Sequence, residues 1–146
     1  MKTGKTVIAT LLAALALIVA VATAQAEDRQ SLLLILTSGD TQTQGMAFVL
    51  ATEAKRQGAE VRVLLCSEAG RLALKDYDPP ALKPRNVTPK QMLQGLMQQG
   101  AKVEVCALFL PNIGKESEDL LDGIGPALPP AVVEHLLQEK VRLLTF

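Results

Sequence analysis

Apolar positions in this chain switch repeatedly between a period of two and a period near 3.6. Ser31 to Leu36 is apolar after its first residue and reads as a buried strand. The polar cluster Thr37-Ser38-Gly39-Asp40-Thr41 closes it with side chains that bond their own backbone. From about Thr43 to Arg56 the period is helical. Met46, Val49, Leu50 and Ala54 fall on one side and predict the buried face, and Gly58 stands where a left-handed cap would end the helix. Glu60 to Leu65 alternates again, with Val61, Val63 and Leu65 on one face, and Cys66 ends that strand. A short helix is expected around Gly70 to Lys75. Asp76 to Val87 follows as a loop, because Pro79, Pro80 and Pro84 block regular structure.

Thr88-Pro89-Lys90-Gln91 has the chemistry of a helix start: a capping hydroxyl, a proline at the first position and a glutamine that reaches back. That helix runs to about Gln99 and buries Met92, Leu93, Leu96 and Met97; Gly100 stops it, and Lys102 to Val105 is a strand that ends on Cys106. Beyond, Pro111 limits any helix to a short turn before it, and Lys115 to Leu121 allows one helical turn or two. Ile124 to Leu128 reads as a short strand. Pro129-Pro130 opens a helix to about Glu139 with Val132, Val133, Leu136 and Leu137 inward, and Val141 to Thr145 is the last strand. Strand and helix alternate throughout, which predicts an α/β fold with a mainly parallel sheet of about five strands covered on both faces. Gln57-Gly58-Ala59-Glu60-Val61 is echoed by Gln99-Gly100-Ala101-Lys102-Val103, and each is followed by a strand ending on a cysteine. Two ordinary αβ connections with the same local needs account for the echo.

The first 26 residues change the picture of where the domain works. Lys2 and Lys5 precede a nearly unbroken apolar run from Val7 to Ala22, and Ala24-Gln25-Ala26 supplies the small residues a signal peptidase reads. The run, about 16 residues, is shorter than the roughly 20 a spanning helix needs. Residues 1–26 are therefore expected to be a signal peptide cleaved after Ala26. Residues 27–146 are then one periplasmic or secreted domain with no membrane span after cleavage. The 15 basic and 15 acidic residues balance in the whole chain, and losing Lys2 and Lys5 leaves 13 against 15 and a net charge of −2. A mildly acidic domain with no Trp and one Tyr is unsuited to nucleic acid, which wants basic surface and stacking aromatics.

Cys66 and Cys106 are the only cysteines. Export suggests a disulfide. A bridge needs α-carbons within about 7 Å, hence adjacent strands with level ends. Strand order is not fixed by sequence. Cys66 lies eight residues past Gly58 and Cys106 six past Gly100, and two residues of strand is an offset of about 6.6 Å. Free thiols are expected on that count. Inert, small, buried side chains and reactive thiols both remain open.

In open parallel sheets ligands bind beyond the carboxyl ends of the strands. Three features fall there: Cys66, Cys106 and the Ser38-Gly39-Asp40 turn, the last a candidate anion site at a helix N-terminus. His135, the one histidine, sits inside the last helix and is assigned a surface or packing role. C-x-x-C and H-E-x-x-H spacings and a Gly-rich loop with Lys are absent, so neither a metal nor an organic cofactor is expected.

The ordered set of segments resembles DsrE/DsrF-like proteins. Leu33-Leu34-Ile35-Leu36 with its polar turn and helix is similar to their opening, and Val103-Glu104-Val105-Cys106 to their strand that ends on the key cysteine. Asp119-Leu120-Leu121-Asp122-Gly123-Ile124 and Pro129 to Leu136 are similar to their closing segments. The resemblance covers Ser31 to Phe146. It implies a three-layer α/β/α domain with a five-stranded parallel sheet, and homo-oligomers, often trimers or hexamers. In sulfur-relay members the matching cysteine carries sulfur as a persulfide to a partner thiol, a role that falls here on Cys106; Cys66 matches no functional position. The resulting expectation is a periplasmic sulfur-handling protein with a sulfur donor or acceptor protein as partner and sulfurtransferase-like chemistry at Cys106. The alternative is a non-enzymatic binding or assembly module with structural cysteines. Solvent access to Cys106 is needed by the first and not by the second.

Overall fold

The computed structural model describes residues 29–146, so the signal peptide and cleavage site expected over residues 1–26 lie outside the described residues. Five strands, β1 (Ser31–Leu36), β2 (Glu60–Leu65), β3 (Lys102–Val105), β4 (Gly125–Pro126) and β5 (Val141–Thr145), pair in the order β4-β3-β2-β1-β5. Every pairing is parallel. Helices α1 (Thr41–Arg56), α2 (Pro89–Gln98), α3 (Phe109–Ile113) and α4 (Pro129–Leu136) connect them, together with 3-10 segments at Ser67–Ala73 and Ser117–Asp119. The chain steps one way across the sheet from β1 to β4 and then returns to lay β5 beside β1. Right-handed crossovers therefore put the first connections on one face and α4 on the other, which gives the three layers of an α/β/α domain.

The face under α1 and α2 is the core. Leu34, Leu36, Val63, Leu65 and Val105 from the strands are fully buried against Ala47, Phe48 and Ala51 of α1 and Leu93 and Leu96 of α2. Helix α1 turns a different side inward from the one its pattern predicts. Met46 is 51% exposed and Val49 50% exposed, whereas Gln44, Ala47, Phe48 and Ala51 are buried. Helix α1 is apolar on more than one side. The small Ala47 and Ala51 let the helix approach the sheet while Phe48 fills the space between, and periodicity alone does not choose between two such stripes.

The start signals hold. Thr88 accepts from the Gln91 N–H while the Gln91 side chain accepts from Thr88 N–H, a reciprocal capping box with Pro89 at the first helical position. Pro111, expected to end a helix, sits inside α3 as its third residue. The first-turn amides of a helix have no intrahelical acceptor, so a residue without an N–H costs little there. The short helix expected around Gly70 to Lys75 starts earlier, at Ser67 directly after Cys66, and is a 3-10 segment ending at Ala73. Strand β4 shrinks to Gly125–Pro126 at the sheet edge, where a proline is tolerated. Helix α4 stops at Leu136 and buries none of its residues; Leu137, expected inward, is 77% exposed. Its contact with the sheet is polar: Arg62 Nη1 donates to the Ala131 carbonyl at 2.8 Å.

Candidate functional site

The register of β2 against β3 runs from Arg62↔Lys102 to Leu65↔Val105, so the next pair in line is Cys66 and Cys106. The ladders extend that far. Cys66 N donates to the Leu36 carbonyl at 2.9 Å and Cys106 N to the Leu65 carbonyl at 2.8 Å. The two cysteine strands are thus neighbours with level ends. The offset expected from counting past the glycines is absent, because the two extra residues of β2, Glu60 and Val61, lie at its start, before the first partner in β3. Both thiols are unbridged and half-buried, each with part of its surface in solvent.

Cys66 keeps the extended backbone of its strand (φ −129°, ψ 163°). Side-chain alternation therefore carries it to the face of Arg62 and Leu64, opposite Val63 and Leu65. Burial pushes the Cys66 thiol up to about 11, and the nearby Cys106 sulfur, which also shares a hydrogen bond with it, pushes in the same direction. Cys66 accordingly holds its proton through neutral pH. Immediately after it, Ser67 adopts a left-handed backbone (φ 49°). That conformation is uncommon outside glycine and turns the chain sharply into the 3-10 segment.

Two glycines lock the turns after β1, β2 and β3 together. A Cβ on Gly39 would stand 3.0 Å from Glu68 Cβ, so the bare α-carbon lets the β1 turn lie against the segment after Cys66 without pushing Glu68 aside. A Cβ on Gly70 would stand 2.6 Å from the Phe109 ring, so that same segment is fitted to α3, which begins three residues after Cys106. The thiols are held in a continuous carboxyl-edge surface made by three connections.

The Ser38-Gly39-Asp40 turn is organised around its own carboxylate. Asp40 Oδ1 accepts from Thr43 N at 2.8 Å and Thr43 Oγ1 at 2.8 Å, and these bonds hold its carboxyl below the ordinary range. Ser38 Oγ accepts from Asp40 N at 3.1 Å, and Gln44 Nε2 donates to the Ser38 carbonyl at 2.9 Å. An external anion at this turn would share the α1 N-terminus with the Asp40 carboxylate. The switch point of the topology, between β1 and β5, is closed: Thr37 N and Thr37 Oγ1 both donate to the Phe146 carbonyl at 2.8 Å.

The remaining candidates lie apart from the thiols. His135 Nε2 is 3.3 Å from Ser31 Oγ at the opposite end of β1, and burial, with the Arg62 charge, lowers its pKa. Six residues of strand, about 3.3 Å each, separate that end from the carboxyl edge. Among the described residues, no three His, Cys, Asp or Glu side chains converge as a metal set would. Sequence reasoning missed the pairing of Cys66 with Cys106 and the strained Ser67 between Cys66 and Glu68. The signal was present in the echoed segments. Counting back from each cysteine to the valines of its strand, rather than forward from each glycine, puts Val63 beside Val103 and the sulfurs level.

The family model described as the DsrE/DsrF-like family matches residues 30–146. The YchN protein from E. coli shares the fold at 21% identity, with a TM-score of 0.65, 81% of this chain covered and 99% of that one. A protein of unknown function from Methanobacterium thermoautotrophicum, MTH1491, is similar at 15% identity and a TM-score of 0.58, covering 82% of this chain and 100% of that one. BT1422 from Bacteroides thetaiotaomicron, also of unknown function, is similar at 18% identity and 0.59, covering 80% and 95%. Among curated proteins, none matches the chain.

Proposed function

This chain belongs to the DsrE/DsrF-like family, and on that premise we propose that it is an exported sulfur-handling protein whose Cys106 carries sulfane sulfur as a persulfide. The family is associated with sulfur relay. The observation that carries the proposal is the position of Cys106: a half-buried, solvent-reached thiol at the carboxyl end of β3, in the strand that resembles the family's cysteine strand. A Cys106 thiolate attacks a polysulfide sulfur, the S–S bond there breaks, and a shortened polysulfide leaves with the electron pair. An acceptor thiolate then attacks the outer sulfur of the persulfide and returns Cys106 as thiolate. Both steps are thiol exchange and call for no metal or organic cofactor. Cys66, which keeps its proton at neutral pH, is the poorer nucleophile of chemistry that runs through thiolates.

Export rests on the leader pattern of residues 1–26. Assembly into a trimer or hexamer is supported by the apolar side chains that the α4 face leaves open, among them Leu128, Val133, Leu137 and Leu143. A second reading, a binding or assembly module with structural cysteines, draws on the exposed Met46 and Val49. They line a groove of about 700 Å³ between α1 and the loop around Leu82 to Val87. The test is the intact mass of the mature protein after polysulfide treatment and removal of excess reagent. With Cys66→Ser in both proteins, so that Cys106 is the one thiol left to load, uptake of one sulfur atom by Cys66→Ser and none by Cys66→Ser with Cys106→Ser is the expected result. Equal uptake by both, or none by either, removes the carrier role and leaves the binding module.

A further inference from the structure

Cys66 needs a role that family position does not supply. It is level with Cys106 on the neighbouring strand, hydrogen-bonded to it through the side chains, and followed by a strained residue. Neighbouring parallel strands are about 4.8 Å apart. That lies inside the window of about 4.4–6.8 Å that disulfide-bonded α-carbons occupy. By α-carbon spacing a bridge here is within reach, once the two β-carbons draw together by a few tenths of an ångström or more. It would not be a comfortable structural staple, because side chains on parallel neighbours project in parallel. Their β-carbons stay near the strand spacing, wider than the mean of about 3.8 Å in relaxed disulfides. A strained, partly exposed bridge is readily reduced, which is the property of an exchanging pair.

We propose that Cys66 is a resolving thiol that discharges the Cys106 persulfide as sulfide. The proposal rests on the carrier reading of Cys106. The Cys66 thiol hands its proton to the outer sulfur of Cys106–S–S⁻, and the Cys66 thiolate formed in that transfer attacks the inner sulfur. A Cys66–Cys106 bond forms, the bond from Cys106 to the outer sulfur breaks, and the electron pair leaves with the outer sulfur. The proton from Cys66 goes with it, so that Cys66–SH and Cys106–S–S⁻ become Cys66–S–S–Cys106 and HS⁻. The two cysteine sulfurs are oxidised by one electron each and the sulfane sulfur is reduced by two, with no outside oxidant or reductant. A thiol reductant of the dithiol class is required only to reset the pair for another turn. The protein would then have two outlets for its sulfur: transfer to an acceptor thiol where one is docked, and release as sulfide where none is.

The experiment loads wild-type and Cys66→Ser mature protein with polysulfide, removes the excess, and follows both sulfide release and intact mass without added thiol. The wild type should release one equivalent of sulfide per chain. It should end two hydrogens lighter than the reduced protein, with neither cysteine open to alkylation. Cys66→Ser should keep its added sulfur, measured as one retained sulfur atom at Cys106. Retention of sulfur by both proteins alike overturns the resolving role and leaves the carrier intact. So does sulfide release without a Cys66–Cys106 bridge. Failure of Cys66→Ser to take up sulfur at all overturns the carrier, and the resolving role with it.

Discussion

The two faces of the sheet are built on different principles. Under α1 and α2, leucines, valines and Phe48 interlock with no solvent access, and the helices reach the strands through small residues. Under α4, an Arg62–Glu104 ion pair takes the centre of the sheet at 2.7 Å, and the short helix leaves Val133, Leu137 and Leu143 in solvent. Apolar residues are plentiful on both sides. The difference is that the first face finds partners for most of them within one chain, whereas on the second Leu33 is covered and Val133, Leu137 and Leu143 are not. A hydrophobic pattern reports that a residue is suited to burial, not that this chain alone buries it. Both thiols stand at the carboxyl edge, and alternation directs Cys66 towards the open side.

The largest test of the contrast is truncation on each face. Phe48→Ala should cost about 3–5 kcal/mol, since a fully buried ring leaves a cavity. Leu137→Ala should change the unfolding free energy of the isolated chain by less than about 0.5 kcal/mol. Urea midpoints at low protein concentration read both. A loss at Leu137 comparable to that at Phe48 would show that the open face is closed by an assembly even when dilute.

Breaking the buried ion pair should cost nearly as much. Arg62→Met leaves the Glu104 carboxylate in the sheet with only Lys102, at 2.9 Å, to answer it, and should destabilise by about 3 kcal/mol. Arg62→Met with Glu104→Leu should recover most of that loss, because an apolar pair of similar volume needs no desolvation. A double variant as unstable as the single one would mean that Arg62 acts through the Ala131 carbonyl that anchors α4 instead.

Gly70→Ala sharpens the account of the carboxyl edge. The new methyl meets the Phe109 ring, and moving that ring should cost about 1–3 kcal/mol. Because α3 starts just past Cys106, the substitution should also change the rate at which Cys106 is alkylated, while Gly95→Ala, which has open space around it, should leave that rate as it was.

The smallest effect is one of pH. The Cys66 thiol titrates near 11 in the fold against 9.0 for an ordinary thiol, raised by burial first and by Cys106 second. Above pH 9 the unfolded chain loses this proton while the folded chain still holds it. Stability from this group is therefore full below about pH 9 and falls as pH rises towards about 11. Urea midpoints across that window should decline for the wild type and decline less for Cys66→Ser. Equal slopes would place the loss in other groups.

Much of this architecture can be read from the residues. Four strands, β1, β2, β3 and β5, and the Thr88 capping box stand where the residue pattern and cap chemistry put them, since both are local properties. The inward side of α1 was illegible because two stripes of that helix are apolar and only the sheet decides between them. The short, unburied α4 was illegible because Val132, Val133 and Leu136 look like core whether the chain or another copy covers them. Each cysteine could be placed at a strand end, but their meeting depended on strand order and register. Those are set by which crossovers pack, and no single segment encodes them.

The central claim, that Cys106 is the sulfur-bearing atom of this edge, is tested most directly by locating the sulfur. Mature protein exposed briefly to polysulfide, quenched with an alkylating reagent and digested should yield the Cys106 peptide carrying one extra sulfur and the Cys66 peptide carrying none. Extra sulfur on Cys66 alone, or on neither peptide with no Cys66–Cys106 bridge formed, would contradict it.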